Sequence, residues 1–133
     1  MLELRDVTAG YGRTRVLEDV SLHVPEGGAV AVMGHNGAGK TTLLRVAVGL
    51  LPVMRGQVLV DGKDVTRLRP NKRVARGLGY VPQGQLSFPQ MTTLENLQLV
   101  STQRSAIDGV LDTFPALRDL LGRRAGLLSG GQR

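Results

Sequence analysis

Apolar and polar positions alternate near the start of the chain, in two stretches that predict β-strands. The first stretch, MLELRDVTAGY, begins with Leu2 and Leu4, and the second, TRVLEDVSLHV, continues the alternation to Val24. A period of two places every second side chain on one face of a strand. The segment PEGGA follows with one proline and two glycines, which predicts a turn.

After this turn the spacing of apolar residues no longer follows a period of two. The run AVAVMG, residues 29–34, is continuously apolar, which predicts a strand buried on both faces of a parallel sheet. GKTTLLRVAVGLL then repeats apolar residues at helical spacing and ends against Pro52, so it predicts a helix. GQVLVDG predicts a short strand closed by a glycine turn, with Asp61 as a turn residue at the strand end.

The second half of the chain predicts more helix than strand. Residues 67–76 predict a short helix, and LGYVPQ, residues 78–83, predicts a strand. From TTLENLQLV onward the spacing is helical, with Thr92 or Thr93 as the N-cap and Glu95 in the first turn. This order of elements predicts an α/β core with a helical insertion.

Composition narrows the class of protein. The 133 residues suit one modest domain, and 41% apolar with 21% charged residues is ordinary for a soluble folded chain. The absence of cysteine excludes disulfides and thiolate metal sites. The N-terminus has no secretory signal pattern, and the longest apolar stretch is interrupted by Arg45 and Pro52. We therefore expect a soluble cytoplasmic chain.

The net charge of +6 makes a nucleic-acid partner worth weighing. The four aromatic side chains do not interleave with the basic residues as a base-stacking platform requires. A solvated helix face is the favoured interpretation of the densest basic stretch, and no nucleic-acid partner is expected. That stretch contains Arg67, Arg69, Lys72, Arg73 and Arg76.

The segment GHNGAGKTT, from Gly34 to Thr42, fits the phosphate-binding pattern G-x-x-x-x-G-K-[ST] between a predicted strand and a predicted helix. Glycine lets such a loop fold closely enough for several backbone N–H groups to converge on an anion. The helix N-terminus adds further N–H groups and the positive end of its dipole. Lys40 supplies a charge for the outer phosphates, and the Thr41 hydroxyl can ligate Mg²⁺. The sequence therefore predicts nucleotide binding.

Small GTPases, kinases, helicases and transporter motors all carry a phosphate loop, so other stretches must decide the class. Tyr11 ends the first strand in GYG, Gln83 follows a strand in GYVPQG, and LLSGGQR ends the sequence. Each stretch alone has an ordinary reading: a strand-end aromatic, a loop amide and a flexible terminus. In this order around the phosphate loop they resemble the ATP-binding subunits of ABC transporters, whose signature LSGGQ stands at Leu128 to Gln132.

The resemblance covers essentially the whole chain and implies its fold and domain organisation. It implies an α/β P-loop NTPase core with N-terminal antiparallel strands and a helical insertion. Residues 1–91, approximately, would form the ATP-binding core. Residues 92–133, approximately, would form the helical insertion and the start of the signature helix.

The same resemblance assigns residues to ATP and Mg²⁺. Tyr11 would stack on the adenine with Val16 packing nearby. Gln83 would act in catalysis and reach Mg²⁺ together with Thr41, while the signature segment would bind the γ-phosphate of ATP held by an opposite subunit. The residues assigned to ATP are Tyr11, Val16, Gly34, His35, Asn36, Gly37, Ala38, Gly39, Lys40, Thr41, Thr42, Ser129, Gly130, Gly131 and Gln132.

The chain also departs from the family pattern. The family places an Mg²⁺-binding Asp, a catalytic Glu and a switch His after the signature, and the sequence ends at Arg133 before any of them. VLVDG imitates the strand-plus-Asp pattern, but it precedes Gln83 and has Gly62 where the Glu should stand. We therefore expect the N-terminal part of an ATPase subunit, truncated before the Asp-bearing strand and inactive in hydrolysis alone. The alternative is a non-catalytic ATP-binding fragment or a regulatory ABC-type protein without a membrane partner.

Two longer stretches, RVARGLGYVPQGQLSFPQMTTLENL and PALRDLLGRRAGLLSGGQ, are similar to importers of branched-chain amino acids and urea. This resemblance implies coupling of ATP hydrolysis to solute uptake. It also implies a position at the cytoplasmic face of the inner or plasma membrane. The implied partners are permease subunits, a second ATP-binding subunit of the same or another kind, and indirectly a periplasmic or lipid-anchored solute-binding protein.

Overall fold

A computed structural model describes residues 1–84 and 87–132, the last of these by its backbone only. The chain divides into two compact units, Met1–Tyr80 and Val81–Arg133. The first unit holds a sheet and the helix that follows the phosphate loop, and the second unit is helical.

Four antiparallel strands form the sheet of the first unit, in the order β2-β1-β3-β4. Leu4, Val7 and Ala9 of the central strand β1 are buried. The period of two shifts by one residue between Leu4 and Val7, where Asp6 has a φ of 47° and the register with β2 also shifts. The predictions for the first two strands and for GQVLVDG are confirmed. The strands are β1 Leu2–Tyr11, β2 Thr14–Val24, β3 Arg55–Val60 and β4 Lys63–Asp64.

A tight turn joins β3 to β4. Asp61 and Gly62 have φ values of 49° and 72°, the left-handed pair that a two-residue hairpin turn requires. The Asp61 carboxylate also accepts a hydrogen bond of 2.7 Å from the N-terminal amino group of Met1. Asp61 is therefore a turn residue at a strand end, as the sequence predicts.

Helix α1, Lys40–Ala47, packs its apolar face on the sheet. Leu43, Val46 and Ala47 are buried, whereas Leu44 on the opposite face is 47% exposed. The helix ends before Gly49, whose φ of 81° suits the left-handed residue that often follows a helix. The core that this packing creates consists of Leu4, Val7, Ala9, Leu17, Leu43, Val46, Ala47, Leu51, Val58, Val60 and Val65.

Two predicted strands are absent, and those predictions are wrong. Residues 29–34 and 78–83 adopt no regular structure, and the first run is exposed, with Met33 at 88%. A strand needs a neighbour to pair its backbone N–H and C=O groups. No strand in the described part of the chain pairs with either segment. The apolar character of these two segments is therefore not sufficient for them to form strands.

Arg73 corrects the interpretation of the basic stretch as a solvated face. It lies in helix α2, Pro70–Val74, and its side chain is among the largest of the fully buried ones. Its guanidinium donates to the carbonyl oxygens of Val46 and Ala47, at 2.8 and 2.7 Å, and so caps the end of α1. Its neighbours Lys72 and Arg76 are exposed, as predicted.

Helices dominate the second unit, which confirms the helical character predicted after residue 92. Thr92 caps helix α3, Thr93–Gln98, in a capping box whose other member is Glu95. Thr93 donates its backbone N–H and its hydroxyl to the carbonyl of Arg123, which ties α3 to the end of the chain. Helix α4, Arg104–Thr113, is followed by three 3₁₀ helices at Pro115–Leu120, Ala125–Leu127 and Gly130–Gln132. None of the helices in the described ranges has the length and apolar character to span a bilayer.

Candidate functional site

The phosphate loop lies between the exposed residue Met33 and the first turn of α1. Gly37 and Gly39 have φ values of 88° and 89°, a region that side chains with a Cβ rarely adopt. Gly39 is the N-cap of α1 and supplies no side-chain cap to the helix. The first N–H groups of α1 therefore point out of the helix toward the loop, because an α-helix offers them no internal acceptor.

Close approach to β2 is a second reason for glycine at residue 39. A Cβ there would stand 3.0 Å from Cδ2 of Leu17 and 3.4 Å from Cγ1 of Val16. Leu17 is buried and Val16 is half-buried beside the loop. The structure thus brings Val16 and the phosphate loop together, two of the features that the sequence assigns to one site.

Lys40 folds back over the loop that precedes it. Its Nζ donates to the carbonyl oxygens of Gly34 and His35 at 2.6 and 2.7 Å. The backbone N–H of Ala38 donates to the same His35 carbonyl at 3.2 Å, and His35 Nδ1 lies 2.8 Å from the carbonyl oxygen of Asn36. These contacts hold a positive charge over an exposed, glycine-rich loop. The arrangement suits an anion that approaches from solvent.

Thr41 and Thr42 open the first turn of α1 with different surroundings. Thr41 is exposed, whereas Thr42 is only 6% exposed and anchors the turn. The Thr41 hydroxyl can give a metal ion one oxygen ligand. No cluster of three or more His, Cys, Asp or Glu side chains that could hold a metal occurs within the described ranges. One hydroxyl still fits Mg²⁺, which commonly keeps several waters and takes few protein ligands beside substrate phosphates.

Tyr11 lies at the end of β1, where its backbone pairs with Thr14 across the hairpin. The residue is 46% exposed. Its hydroxyl accepts a hydrogen bond of 3.2 Å from Nη1 of Arg45, on the exposed side of α1. Hydrogen bonds with Thr42 and then with Arg45 lower the pKa of the Tyr11 phenol from its ordinary value. The strand-end tyrosine therefore contacts the helix that follows the phosphate loop.

Sequence reasoning missed Arg45. A signal was present, because Arg45 follows the exposed residue Thr41 by four positions and so lies on the same side of the helix. Hydrogen bonds with Tyr11 and, more weakly, with Tyr80 raise the pKa of the Arg45 guanidinium above its ordinary value. Arg45 thus joins Tyr11 to the first turns of α1.

The remaining predicted residues belong to the second unit. Gln83 is exposed in a bend after Pro82. Ser129 is exposed, and Gly130 begins a short 3₁₀ helix that runs to Gln132. The side chain of Gln132 lies outside the part of the chain that the structure describes. The described part of the signature segment therefore contains one 3₁₀ turn.

Comparisons with known proteins place the chain in a family. The chain matches the family model described as ABC transporter over residues 17–133. It is 39% identical over its whole length to a probable branched-chain amino acid transport ATP-binding protein of Archaeoglobus fulgidus, of which it covers 59%. It is 35% identical to a lipopolysaccharide export system ATP-binding protein of Haemophilus influenzae, with 100% of the chain and 58% of that protein covered.

Solved structures show the same fold. A nucleotide-free ATP-binding cassette from an ABC transporter superposes with a TM-score of 0.85 at 28% identity, covering 98% of this chain and 60% of that one. A dimeric post-hydrolysis ATP-binding cassette bound to ADP and Pi superposes with a TM-score of 0.79 at 27% identity. The match covers 99% of this chain and 65% of that one. The chain therefore has the α/β P-loop fold of these cassettes and spans about 60% of their length.

Proposed function

The chain belongs to the ABC transporter family, and we propose that it forms the nucleotide-binding part of a transporter ATPase subunit. About residues 1–91 serve as the ATP-binding core in this proposal. About residues 92–133 serve as the helical insertion and the beginning of the signature helix. The complete subunit would have the length of the relatives, of which the chain covers 58–59% in the two cases above.

One observation carries the proposal: the Lys40 ammonium stands over a glycine loop at the start of a helix. Its two hydrogen bonds to Gly34 and His35 hold the charge where the helix N–H groups also point. A polyphosphate offers the matching partner, since it carries several negative oxygens in a short chain. The other eight residues from Gly34 to Thr42 would contribute their backbone N–H groups and, at Thr41, a hydroxyl for Mg²⁺.

The base and the catalytic roles rest on the family resemblance together with residue placement. Tyr11 is assigned to the adenine with Val16 beside it, and its half-exposed ring at the edge of the loop supports this assignment. Gln83 is assigned to Mg²⁺ and to catalysis on the resemblance alone. Bound Mg²⁺ would offset charge on the outer phosphates, and the chain's own groups would bind and orient the nucleotide.

The signature segment is assigned to a second nucleotide. In a closed two-fold dimer, the γ-phosphate of ATP bound by the opposite subunit would be contacted by Ser129, Gly130, Gly131 and Gln132. The dimeric cassette with ADP and Pi supports a dimer for this chain's family. The other partners in the proposal are permease subunits, at the cytoplasmic face of the membrane. A solute-binding protein would then act indirectly.

The transported solute separates two candidate functions. Uptake of branched-chain amino acids is favoured by the relative from Archaeoglobus fulgidus and by one from Pseudomonas aeruginosa. The latter is a high-affinity branched-chain amino acid transport ATP-binding protein with 32% identity. Uptake of urea or amides rests on the sequence resemblance alone. Lipopolysaccharide export is the second candidate, because the Haemophilus influenzae protein is 35% identical over the whole chain. We favour uptake, on the higher identity of 39%.

Equilibrium binding of ATP tests the proposal. Lys40→Ala should weaken binding about tenfold to a hundredfold, because a charge-assisted contact is worth about 1.5–3 kcal/mol. Lys72→Ala is the matched control, since Lys72 is an exposed lysine on helix α2. The affinity of the Lys72→Ala variant for ATP should equal that of the unmodified chain. Circular dichroism would verify that each variant keeps its fold. Equal affinities of the Lys40→Ala and Lys72→Ala variants would refute the assignment of the site.

A further inference from the structure

The backbone of Tyr11 is held in place by its neighbours, but the backbone alone does not fix the position of the ring. Pairing with Thr14 and the left-handed Gly12, with a φ of 58°, hold its Cα at the mouth of the hairpin. Rotation about χ1 could still swing the ring into solvent, since 46% of the residue is exposed. A tyrosine that stacks on a base binds more tightly if its ring is already held in one position. A mobile ring loses conformational entropy when the base binds, and that loss lowers the affinity.

Arg45 supplies a point of attachment for the ring, beside the hydrogen bond between the Tyr11 hydroxyl and Thr42. Its Nη1 donates to the Tyr11 hydroxyl at 3.2 Å, from the helix that Lys40 begins. The hydroxyl lies on the long axis of the ring, so this contact fixes χ1 and leaves only rotation about that axis. Because α1 is anchored in the core by Leu43 and Val46, the attachment point moves with the phosphate loop.

We propose that Arg45 is a positioning residue for nucleotide binding: it holds the Tyr11 ring beside the phosphate loop so that the ring can receive the base. This inference rests on the proposed function and deepens it. Arg45 acts through Tyr11 and makes no phosphate contact. Its contribution is therefore confined to ligands that carry a base, and it disappears when residue 11 has no ring.

Binding measurements with two ligands separate this role from a direct one. Arg45→Met should weaken ATP about threefold to tenfold, the equivalent of one modest hydrogen bond, and should leave inorganic triphosphate unchanged. In a Tyr11→Ala background the same substitution should have no further effect on ATP. Arg13→Met is the matched control, because it removes an exposed arginine from the hairpin turn that follows Tyr11, and it should change neither ligand's affinity.

The contact itself has a signature that needs no nucleotide. The chain has two tyrosines, so NMR of ¹³C-labelled tyrosine in a Tyr80→Phe variant follows Tyr11 alone. The pKa of Tyr11 should rise in Arg45→Met, since the guanidinium is one of the groups that lower it. Arg45→Lys should restore part of the shift, because it keeps a cationic donor.

The outcomes are distinguishable. A parallel loss of triphosphate affinity in Arg45→Met would overturn the proposal in favour of a phosphate contact. Unchanged ATP affinity would overturn it while leaving the nucleotide site intact. An unshifted phenol would remove the contact on which it depends. If the unmodified chain bound neither ATP nor triphosphate, the proposed function would fail and this inference with it.

Discussion

Arg73 offers the clearest quantitative test of how the first unit is held together. Its guanidinium makes four hydrogen bonds to backbone carbonyls, between 2.7 and 3.2 Å long, at only 2% exposure. Two of the acceptors, Val46 and Ala47, end helix α1, and the other two, Thr66 and Leu68, lie in the segment before α2. The change to make is Arg73→Met, which keeps most of the buried stem and removes every donor.

The expected loss follows from these contacts. A hydrogen bond to a charged group contributes about 1.5–3 kcal/mol, but burying the guanidinium offsets part of the sum of four. Removing the donor of a buried carbonyl costs about 1–3 kcal/mol for each acceptor left unpaired, and the Val46 carbonyl keeps a second donor in the backbone N–H of Gly49. We therefore expect the free energy of unfolding to fall by about 3–5 kcal/mol. That is a large share of the roughly 5–15 kcal/mol that a domain possesses.

Urea unfolding followed by circular dichroism measures this loss. With a slope of about 1–3 kcal/mol per molar urea, a loss of about 3–5 kcal/mol should lower the midpoint of Arg73→Met by about 1–5 M. Arg76→Met is the control, since Arg76 is exposed three residues later, and it should change stability by less than about 0.5 kcal/mol. Arg73→Lys should lie between the two, because lysine keeps the charge but not the planar fork. Equal midpoints for Arg73→Met and Arg76→Met would refute the role assigned to Arg73.

Three further predictions concern the loop, a helix cap and the signature. Gly39→Ala should lower stability by about 1–2 kcal/mol because its φ is 89°, whereas Gly109→Ala within α4 should raise it; urea unfolding compares them. The pKa of Glu95 is lowered by hydrogen bonds from Thr92, so its capping contribution is complete above the ordinary Glu pKa and is lost as pH falls through the lowered value. The protection of α3 amides from exchange, relative to their intrinsic rate at the same pH, should therefore fall below about pH 4, and Glu95→Gln should remove that dependence. In a subunit of the relatives' length, Ser129→Arg should leave ATP binding by the monomer intact and abolish ATP-driven dimerisation, measured by light scattering.

Features encoded by a few neighbouring residues were predictable from the sequence. The Asp61 turn needs only Asp-Gly directly after an apolar run, and the Thr92 cap needs only a Glu three residues later. The phosphate loop is equally local, since its glycines and Lys40 act within nine residues. Such features depend on backbone geometry that the residues themselves prefer.

Features that depend on distant partners were not predictable. The apolar run at 29–34 is typical of a buried strand, but a strand forms only where a neighbour pairs with it. Arg73 stands among solvated basic residues in the sequence, yet its acceptors at Val46 and Ala47 come from another helix. The contact of Arg45 with Tyr11 likewise joins residues separated by 34 positions. In each case the deciding partner lies elsewhere in the chain.

Titration of the ¹⁵N-labelled chain with Mg²⁺–ATP, followed by amide chemical shifts, tests the central claim most directly. The account predicts that the largest shifts at saturation occur within Gly34–Thr42, above all at Gly37, Gly39 and Lys40, where N–H groups and the ammonium converge. Tyr11 should shift to a smaller extent, because it meets the base rather than the phosphates. Largest shifts among exposed basic residues such as Arg67 and Arg69, with the loop unchanged, would contradict the account.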